Sequence, residues 1–310
     1  MGRQKAFVVG GGGMVGATAA YAMALNKAVE EIVLIDVNEQ LVWGQAADIN
    51  DAMGFDSGIL VRTGTYDEIA NDDIVVITAG AAQQPGQTRL DLLAINAGII
   101  RGIMSEVAKD GRQPFVVMVA NPVDVLTYIA ATEFGIAKGR VFGTGTTLDT
   151  SRLRATIADE LNVHSREVDA YILGEHGDSS FSTIERANVG DIWLRKFPGY
   201  ESRDYAEIDQ KIRERAYKVI ETKKSTYYAI GLVISKLVIA LRRSTYSIFP
   251  VCSLLEGEYG LNDVVLGLPS TVNNEGVKIL GGYELTEEEV GKLHASADVV
   301  KHAISTIKQQ

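Results

Sequence analysis

One histidine of this chain stands in a sequence context that suits proton transfer. The segment Gly174-Glu-His-Gly-Asp178 directly follows the apolar run 168–173, which is typical of a strand that ends in a polar turn. Histidine titrates near neutral pH, at about 6.5 when unperturbed, and the flanking glycines let other groups approach it closely. His176 is therefore a candidate for acid–base chemistry, and the alternative is an ordinary histidine of a surface turn.

Asp149 and Arg152 form a second candidate cluster. They lie three positions apart at the start of a predicted helix, in the segment 144–152 that follows the short predicted strand 140–143. Side chains at this spacing share roughly one face of a helix, so both could serve one ligand. The alternative is that Asp149 caps the helix and Arg152 is a neighbouring surface arginine.

Two further polar segments follow the predicted strands 74–78 and 115–120. In an open α/β sheet, ligands bind at the carboxyl ends of the strands. The loop 79–89 contains glycines and a proline that would let it close as a lid, and its charged residue is Arg89, which could equally be a solvated surface arginine. Asn121 could hydrogen-bond a ligand amide or carbonyl, or simply form a turn with the proline that follows it.

The elements that would position these residues begin with a glycine-rich turn. The apolar strand 6–10, the turn Gly11-Gly-Gly-Met-Val-Gly16, an alanine-rich helix over 17–26 and a second strand that ends in Asp36 follow one another closely. This is the spacing of a parallel strand–helix–strand crossover.

Gly11, Gly13 and Gly16 complete the pattern Gly-x-Gly-x-x-Gly. The first glycine permits a tight turn, the second lets the backbone approach a pyrophosphate, and the third lets helix and strand pack closely. The helix N-terminus offers free N–H groups to the anion. Asp36 can accept hydrogen bonds from an adenosine ribose and would repel a 2′-phosphate, so the pattern predicts binding of NAD rather than NADP.

The chain divides into two predicted parts. Residues 1–145 fit repeated strand–helix units, which predicts an α/β fold with a doubly wound parallel sheet of the Rossmann type. Residues 146–310 contain short strands and turns, one long helical stretch over about 204–241, mixed strands over 247–280 and a final amphipathic helix over about 286–307. We expect a dinucleotide-binding domain followed by an α+β substrate domain.

Composition and charge exclude several classes of partner and site. The 310 residues include 30 basic and 40 acidic side chains, a net charge of −10, which argues against nucleic acid or an anionic membrane as a partner. The longest apolar stretch, 227–241, is too short to span a bilayer. Cys252 is the only cysteine and lies in an apolar run, so we expect a buried structural thiol, no cysteine metal cluster and no metal site. The N-terminus lacks a signal-peptide pattern, and we expect a cytoplasmic location.

Taken together, these motifs resemble those of the NAD-dependent L-lactate dehydrogenases, within the lactate/malate dehydrogenase family. The resemblance extends in order along nearly the whole chain. The segments that carry it are Gly11-Gly-Gly-Met-Val-Gly16, Asp36, Gln83-Gln-Pro-Gly-Gln-Thr-Arg89, Asn121-Pro-Val-Asp124, Asp149-Thr-Ser-Arg152 and Gly174-Glu-His-Gly-Asp178.

The resemblance implies a role for each of these positions. His176 would be the proton donor and acceptor, and Asp149 its carboxylate partner. Arg152 would bind the substrate carboxylate, and Arg89 would polarise the reacting carbonyl from a mobile loop. Asn121 would hydrogen-bond near that carbonyl, and Thr226 would line the substrate pocket. The positions that match cofactor contacts are Val15, Asp36, Tyr66, Gly80, Ala81, Asn121 and Thr144, in addition to the three glycines.

The chemistry of a 2-oxo acid fits these roles. Hydride transfer from a reduced nicotinamide builds negative charge on the carbonyl oxygen, which needs a proton and nearby positive charge. Protonated His176 would supply the proton and Arg89 the charge. Asp149 would orient the imidazole and favour its charged form, and the planar guanidinium of Arg152 would grip the carboxylate.

Gln83 would select the substrate. Malate dehydrogenases of the family carry arginine at this position, where it pairs with the second carboxylate of oxaloacetate. Gln83 is neutral, and burying a second, unpaired carboxylate is costly, so pyruvate and lactate are favoured. Malate, or a broader range of L-2-hydroxy acids, remains the alternative.

The resemblance also concerns regulation and assembly. It implies a homotetramer. Many bacterial members bind fructose 1,6-bisphosphate with an arginine two residues after the substrate-binding one and a histidine seven residues before the catalytic one. This chain has Arg154 at the first position and Asp169 at the second, and an acidic side chain should repel a bisphosphate, so we expect weak or absent activation. Lys224 stands where many relatives have glycine.

Overall fold

A sheet of eight strands organises the described part of this chain, which comprises residues 4–55, 58–81, 89–202, 205 and 207–308 of a computed structural model. Its first six strands are β1 (Lys5–Val9), β2 (Glu31–Ile35), β3 (Leu60–Thr63), β4 (Ile74–Ile77), β5 (Phe115–Met118) and β6 (Val141–Gly143). They pair in parallel in the order β3-β2-β1-β4-β5-β6. This order reverses between β1 and β4, where a doubly wound sheet opens a crevice for ligands. The predicted fold class is therefore confirmed.

Five helices connect and follow these strands. They are α1 (Met14–Leu25), α2 (Glu39–Met53), α3 (Arg89–Val107), α4 (Val123–Thr132) and α5 (Thr147–Leu161). Helix α1 begins and ends earlier in the chain than the predicted range 17–26. Apolar side chains fill both faces of the sheet, as in the buried strands β1, β2 and β4. The site therefore stands on a scaffold whose strands are covered on both sides.

The second half of the chain begins with short strands and then two helices. These elements are β7 (Val168–Asp169), β8 (Ile172–Leu173), β9 (Phe181–Ser182), β10 (Asn188–Val189), β11 (Ile192–Trp193), α6 (Ile208–Lys223) and α7 (Tyr228–Arg243). The remaining ones are β12 (Ser247–Phe249), β13 (Cys252–Glu256), β14 (Asn262–Gly267), β15 (Ser270–Asn273), β16 (Gly276–Ile279) and α8 (Glu287–Lys308). Strands β13 and β14 pair antiparallel at the β6 edge of the large sheet.

The prediction of one helical stretch over about 204–241 is wrong. Helices α6 and α7 meet at a bend of 113°. Lys224 ends α6 in the left-handed conformation, with φ of 69°, and its N–H donates to the Ile220 carbonyl at 2.7 Å. No glycine or proline marks this break in the sequence, which explains why the apolar periodicity alone suggested continuity.

Among the described residues, no single helix is long and apolar enough to cross a membrane. The pair α6 and α7 meets the length and composition test only when the two helices are joined across their bend.

Candidate active site

The glycine-rich turn brings β1, β2 and α1 into close contact. The N–H groups of Gly10 and Gly11 donate to the Ile35 carbonyl at 2.9 and 3.1 Å. A Cβ at Gly16 would lie 2.3 Å from the Gly10 carbonyl oxygen, so only glycine fits there. The left-handed residue of the turn is Gly10, with φ of 87°, which lies just outside the recognised motif.

The carboxylate of Asp36 closes this turn on one side. Its Oδ2 accepts the Gly12 N–H at 2.9 Å, and its Oδ1 accepts the Asn38 N–H at 3.0 Å. Burial raises the pKa of Tyr66, and the negative charge of Asp36 raises it further, so the two candidate cofactor residues lie near each other. A close backbone turn beside an oriented carboxylate is the arrangement that a pyrophosphate and an adenosine ribose require.

A cavity of about 460 Å³ lies beyond the turn, at the carboxyl ends of β4, β5 and β6. It gathers nine of the residues singled out from the sequence: Val15, Gly80, Ala81, Asn121, Thr144, Asp149, Arg152, His176 and Thr226. Gly11, Gly13, Gly16, Asp36 and Tyr66 are not part of this lining. The other predicted positions cannot be placed, because Gln83 and the side chain of Arg89 lie outside the described residues.

His176 is held at the cavity wall by contacts with several elements. The preceding Gly174 is paired with Gly267 of β14 through two backbone hydrogen bonds of 3.0 and 2.8 Å. The Glu175 N–H donates to the Ser296 hydroxyl of α8 at 2.7 Å. The predicted strand end therefore exists, and it is attached to the edge of the large sheet.

The side chains of His176, Asp149 and Arg152 form one hydrogen-bonded cluster. The imidazole Nδ1 of His176 lies 2.6 Å from Asp149 Oδ2, and Arg152 donates to Asp149 Oδ1 at 2.7 Å. The histidine side chain is 28% exposed, and the side chains of the other two are 13% exposed. Asp149 is therefore not the cap of α5, a position that Thr146 holds, and the imidazole Nε2 remains for a ligand.

Charge decides the protonation preferences within this cluster. Burial disfavours the imidazolium of His176, but the charge and hydrogen bond of Asp149 outweigh it and raise its pKa above the ordinary value. Burial likewise opposes ionisation of Asp149, but His176 and Arg152 hold its pKa below the usual range. The pair is arranged to keep a carboxylate beside a protonated imidazole.

Two buried polar residues that the sequence reasoning did not use support this cluster. Asn96 of α3 accepts the Ala81 N–H at 2.7 Å and donates to the Asn121 carbonyl at 3.0 Å, so it ties together the ends of β4 and β5. Asp124 of α4 accepts the peptide N–H of His176 at 2.8 Å. A polar residue on the apolar face of α3 was the available signal for Asn96, and the segment Asn121-Pro-Val-Asp124 was the signal for Asp124.

Thr226 lies in the short connection between α6 and α7. Its hydroxyl is buried and has no hydrogen-bond partner among the residues that the structure describes. A buried hydroxyl without a partner in a cavity wall is an unused site for a ligand atom. The glycine cradle, the Asp36 carboxylate and this hydroxyl together fit a bound nicotinamide dinucleotide and a small polar substrate.

The fold and the cluster define the class of protein, a dinucleotide-dependent oxidoreductase. Residues 4–143 match the family model described as lactate/malate dehydrogenase, NAD binding domain, and residues 146–310 match its alpha/beta C-terminal domain. The chain therefore belongs to the lactate/malate dehydrogenase family, and NAD is its cofactor.

The sequence is also similar to those of named bacterial enzymes. The chain is 36% identical over 306 residues to the L-lactate dehydrogenase of Latilactobacillus sakei subsp. sakei (strain 23K), covering 97% of this chain and 94% of that protein. It is 39% identical over 300 residues to the L-lactate dehydrogenase of Clostridium botulinum (strain Loch Maree / Type A3), covering 95% and 94%.

A solved structure is similar over the same length. The minor L-lactate dehydrogenase from Enterococcus mundtii, in its ligands-bound form, superposes with a TM-score of 0.93 and 39% identity, covering 98% of each chain. The ligands-unbound form of that enzyme gives 0.89 and 38%, covering 99% of this chain and 98% of that one.

Proposed function

We propose that this protein is an NAD-dependent L-lactate dehydrogenase, which transfers hydride reversibly between NADH and pyruvate to give (S)-lactate and NAD⁺. The observation that carries the proposal is the His176–Asp149–Arg152 cluster in the wall of the cavity. The names of the similar proteins support lactate as the hydroxy acid.

The chain's own residues supply proton transfer and orientation. Bound NADH supplies the hydride. His176 would donate its Nε2 proton to the carbonyl oxygen during reduction and recover it during oxidation. Asp149 fixes the imidazole through Nδ1, and the guanidinium nitrogens of Arg152 that do not bond Asp149 would hold the substrate carboxylate.

The remaining assignments belong to the same proposal. Arg89 would polarise the carbonyl, Asn121 and Thr226 would line the substrate site, and Gln83 would favour pyruvate over oxaloacetate. The three motif glycines, Val15, Asp36, Tyr66, Gly80, Ala81 and Thr144 would contact the cofactor. Residues 1–145 would form the dinucleotide-binding domain and residues 146–310 the substrate domain.

Parallel assays with pyruvate, oxaloacetate and 2-oxoisocaproate test the substrate assignment. NADH oxidation should be most efficient with pyruvate, and Gln83→Arg should shift preference toward oxaloacetate because it adds a partner for the second carboxylate. A wild-type preference for oxaloacetate would refute the role of Gln83, and an unchanged preference in the variant would place specificity elsewhere.

Replacement of the histidine tests the proton-transfer assignment. His176→Gln should nearly abolish turnover and leave NADH binding intact, because the imidazole is at the substrate end of the cavity. The exposed His302 of α8 offers a matched control, and His302→Gln should keep normal turnover. Loss of NADH binding in His176→Gln would instead indicate a structural role.

Assembly into a homotetramer is supported by exposed apolar side chains on three helices. Trp43 on α2 is 67% exposed, Tyr217 on α6 is 51% exposed and Leu232 on α7 is 49% exposed. Large apolar side chains exposed on helix surfaces favour contact with another protein, here further copies of this chain. A monomeric mass in multi-angle light scattering would contradict this assembly.

Activation by fructose 1,6-bisphosphate should be weak or absent. Arg154 is already engaged within the chain: it donates to Asp169 at 3.1 Å and to the Ala170 carbonyl at 2.9 Å, and it lies over the Tyr171 ring at 4.8 Å. A bisphosphate would have to displace a carboxylate of like charge. The half-saturating pyruvate concentration at neutral pH should not change on its addition, and a clear drop would overturn this proposal.

We further propose a cytoplasmic location, with small 2-oxo and 2-hydroxy acids as the partners rather than nucleic acid or membrane. The net charge of −10 and the single, buried Cys252 support this assignment.

A further inference from the structure

Asp124 is a buried carboxylate that the proposed reaction leaves without a role. The residue is 2% exposed, and it lies in the first turn of α4. Its Oδ2 accepts the peptide N–H of His176 at 2.8 Å, and the neighbouring Cys252 thiol also acts on the carboxylate as a weak hydrogen-bonding group, but Oδ1 has no partner of good hydrogen-bond geometry within the described ranges. A buried carboxylate oxygen without a donor is costly, so its presence here requires a reason.

Capping of its own helix is not that reason. The position before α4 is Pro122, and no side chain caps the helix there. The Asp124 carboxylate instead reaches across to a loop 52 residues further along the chain. It therefore connects α4 to the backbone of the one residue whose ring must be placed accurately against the substrate.

Asp124 also contributes charge to this place. His176 lies between two carboxylates: Asp149 is hydrogen-bonded to the imidazole, and Asp124 accepts a hydrogen bond from the peptide N–H. The other titratable or charged groups that act on this pair are Arg152 from α5, Glu175 from the same loop and the Cys252 thiol from β13. Arg152 is bonded to Asp149, so among the described side chains the imidazolium is the cation that faces Asp124.

We propose that Asp124 is a positioning residue of the active site, which fixes the His176 backbone and, as a second negative charge, favours the protonated imidazole. The inference rests on the proposed function for its consequence in catalysis. Two observations agree with it. The charge of Asp124 adds to that of Asp149 in raising the pKa of His176. Burial raises the pKa of Asp124 itself to about 6, so its charge is present at neutral pH and is lost under acid conditions.

Two substitutions separate the two effects. Asp124→Asn keeps a carbonyl oxygen that can accept the His176 N–H but removes the charge. Asp124→Ala removes both and should lower kcat by about tenfold to a hundredfold, with a smaller change in KM, because a displaced imidazole impairs the chemical step. Asp159→Asn, an exposed carboxylate of α5, removes the same charge far from the cluster and serves as the control.

The decisive measurement is the titration of His176 by NMR with isotope-labelled histidine. The chain has only 4 histidines, and His176→Gln identifies the signal. In Asp124→Asn the midpoint of the His176 signal should move to lower pH, and in Asp159→Asn it should stay. The alkaline limb of pyruvate reduction should move in the same direction. An unmoved midpoint would overturn the proposal.

The wild-type titration covers the case in which Asp124→Asn does not fold. The His176 signal should then show a second inflection near the pKa of Asp124, about 6, as the neighbouring carboxylate ionises. A single inflection would refute the proposal. Since the NMR titration requires no turnover, it separates a failure of the Asp124 assignment from a failure of the proposed dehydrogenase function.

Discussion

Replacing Asp149 by asparagine tests the electrostatic basis of the catalytic cluster. The change preserves size but removes the carboxylate that meets His176 Nδ1 at 2.6 Å and Arg152 at 2.7 Å. The carboxylate is largely buried, with 13% of its side chain exposed, so solvent screens the interaction weakly. An amide NH₂ turned toward Nδ1 would also place the imidazole proton on Nε2 and leave the ring neutral.

The expected loss follows from one charge-assisted hydrogen bond. Such a bond contributes about 1.5 to 3 kcal/mol, and the imidazolium is the species that must be present for reduction. If this stabilisation is lost in the transition state, kcat/KM for pyruvate should fall by about 10- to 150-fold. NADH binding should change little, because Asp149 lies at the substrate end of the cavity.

The loss should depend on pH in a defined direction. Burial lowers the pKa of His176, and Asp149 raises it by more, so removing Asp149 must lower that pKa. Pyruvate reduction uses the imidazolium, and its alkaline limb should therefore move to lower pH in the variant. Lactate oxidation uses the neutral imidazole, and its acid limb should move in the same direction, which makes the defect in oxidation smaller at low pH.

The assay is NADH absorbance in both directions from about pH 5 to about pH 9, the range over which a histidine titrates. Asp159→Asn on the same helix is the matched control and should leave both profiles unchanged. If Asp149→Asn kept kcat/KM for pyruvate within about threefold of wild type, an effect below the contribution of one charged hydrogen bond, Asp149 would not sustain the imidazolium.

Three further predictions concern the elements around the cluster. Lys224→Gly should raise the free energy of unfolding by about 1 kcal/mol in denaturant titrations, because φ of 69° suits glycine better than lysine; no gain would mean that the lysine side chain compensates the strain. Gly16→Ala should weaken NADH binding by tenfold or more, because its Cβ would lie 2.3 Å from the Gly10 carbonyl oxygen and distort the turn. A distortion of about 1.4 kcal/mol is enough for a tenfold loss. Gly102→Ala, whose Cβ would enter open space, should leave NADH binding unchanged. The folded chain holds the Asp124 proton up to about pH 6, whereas the unfolded chain releases it near pH 4. The free energy of unfolding should therefore fall by about 2 to 3 kcal/mol as pH rises from about 4 to about 6, and Asp124→Asn should not show that fall.

The sequence predicted the first half of the fold in some detail because its signals are local. Parallel strands separated by helices have essentially one handedness, so a run of crossovers limits the strand order strongly. The glycine spacing and Asp36 then identify the end of the sheet where a dinucleotide binds. Asn121, which closely follows a predicted strand, and Asp149, at the start of the helix after another, could be assigned to that same edge without knowledge of the tertiary structure.

The elements that sequence reasoning missed depend on contacts between distant parts of the chain. The bend at Lys224 has no glycine or proline to mark it, because the left-handed conformation is stabilised by the surrounding structure rather than by the residue type. The pairing of β13 with β6 joins strands more than a hundred residues apart. Asn96 looks like an ordinary polar residue of a helix until its two partners, on two different loops, are known.

Asp124 and Asp149 show how one residue type acquires two properties from its surroundings. Both are buried carboxylates beside His176. Asp149 has Arg152 as a second cation, and its pKa is lowered, whereas Asp124 has no second cation among the described side chains, and burial raises its pKa to about 6. Asp149 therefore remains ionised throughout the range in which the imidazole titrates, and Asp124 does not. When the imidazole is protonated, the two carboxylates balance Arg152 and His176 among the side chains that the structure describes.

A substrate carboxylate held by Arg152 would add one negative charge to this balanced cluster. The added charge favours the imidazolium, so a 2-oxo acid should bind more tightly to the protonated enzyme, and protonation should tighten its binding by the same factor. The hydroxy acid product has a hydroxyl proton to donate and needs an imidazole that can accept it. The charges around His176 therefore favour the protonated state that pyruvate reduction consumes, and the ionised Asp124 contributes to that preference.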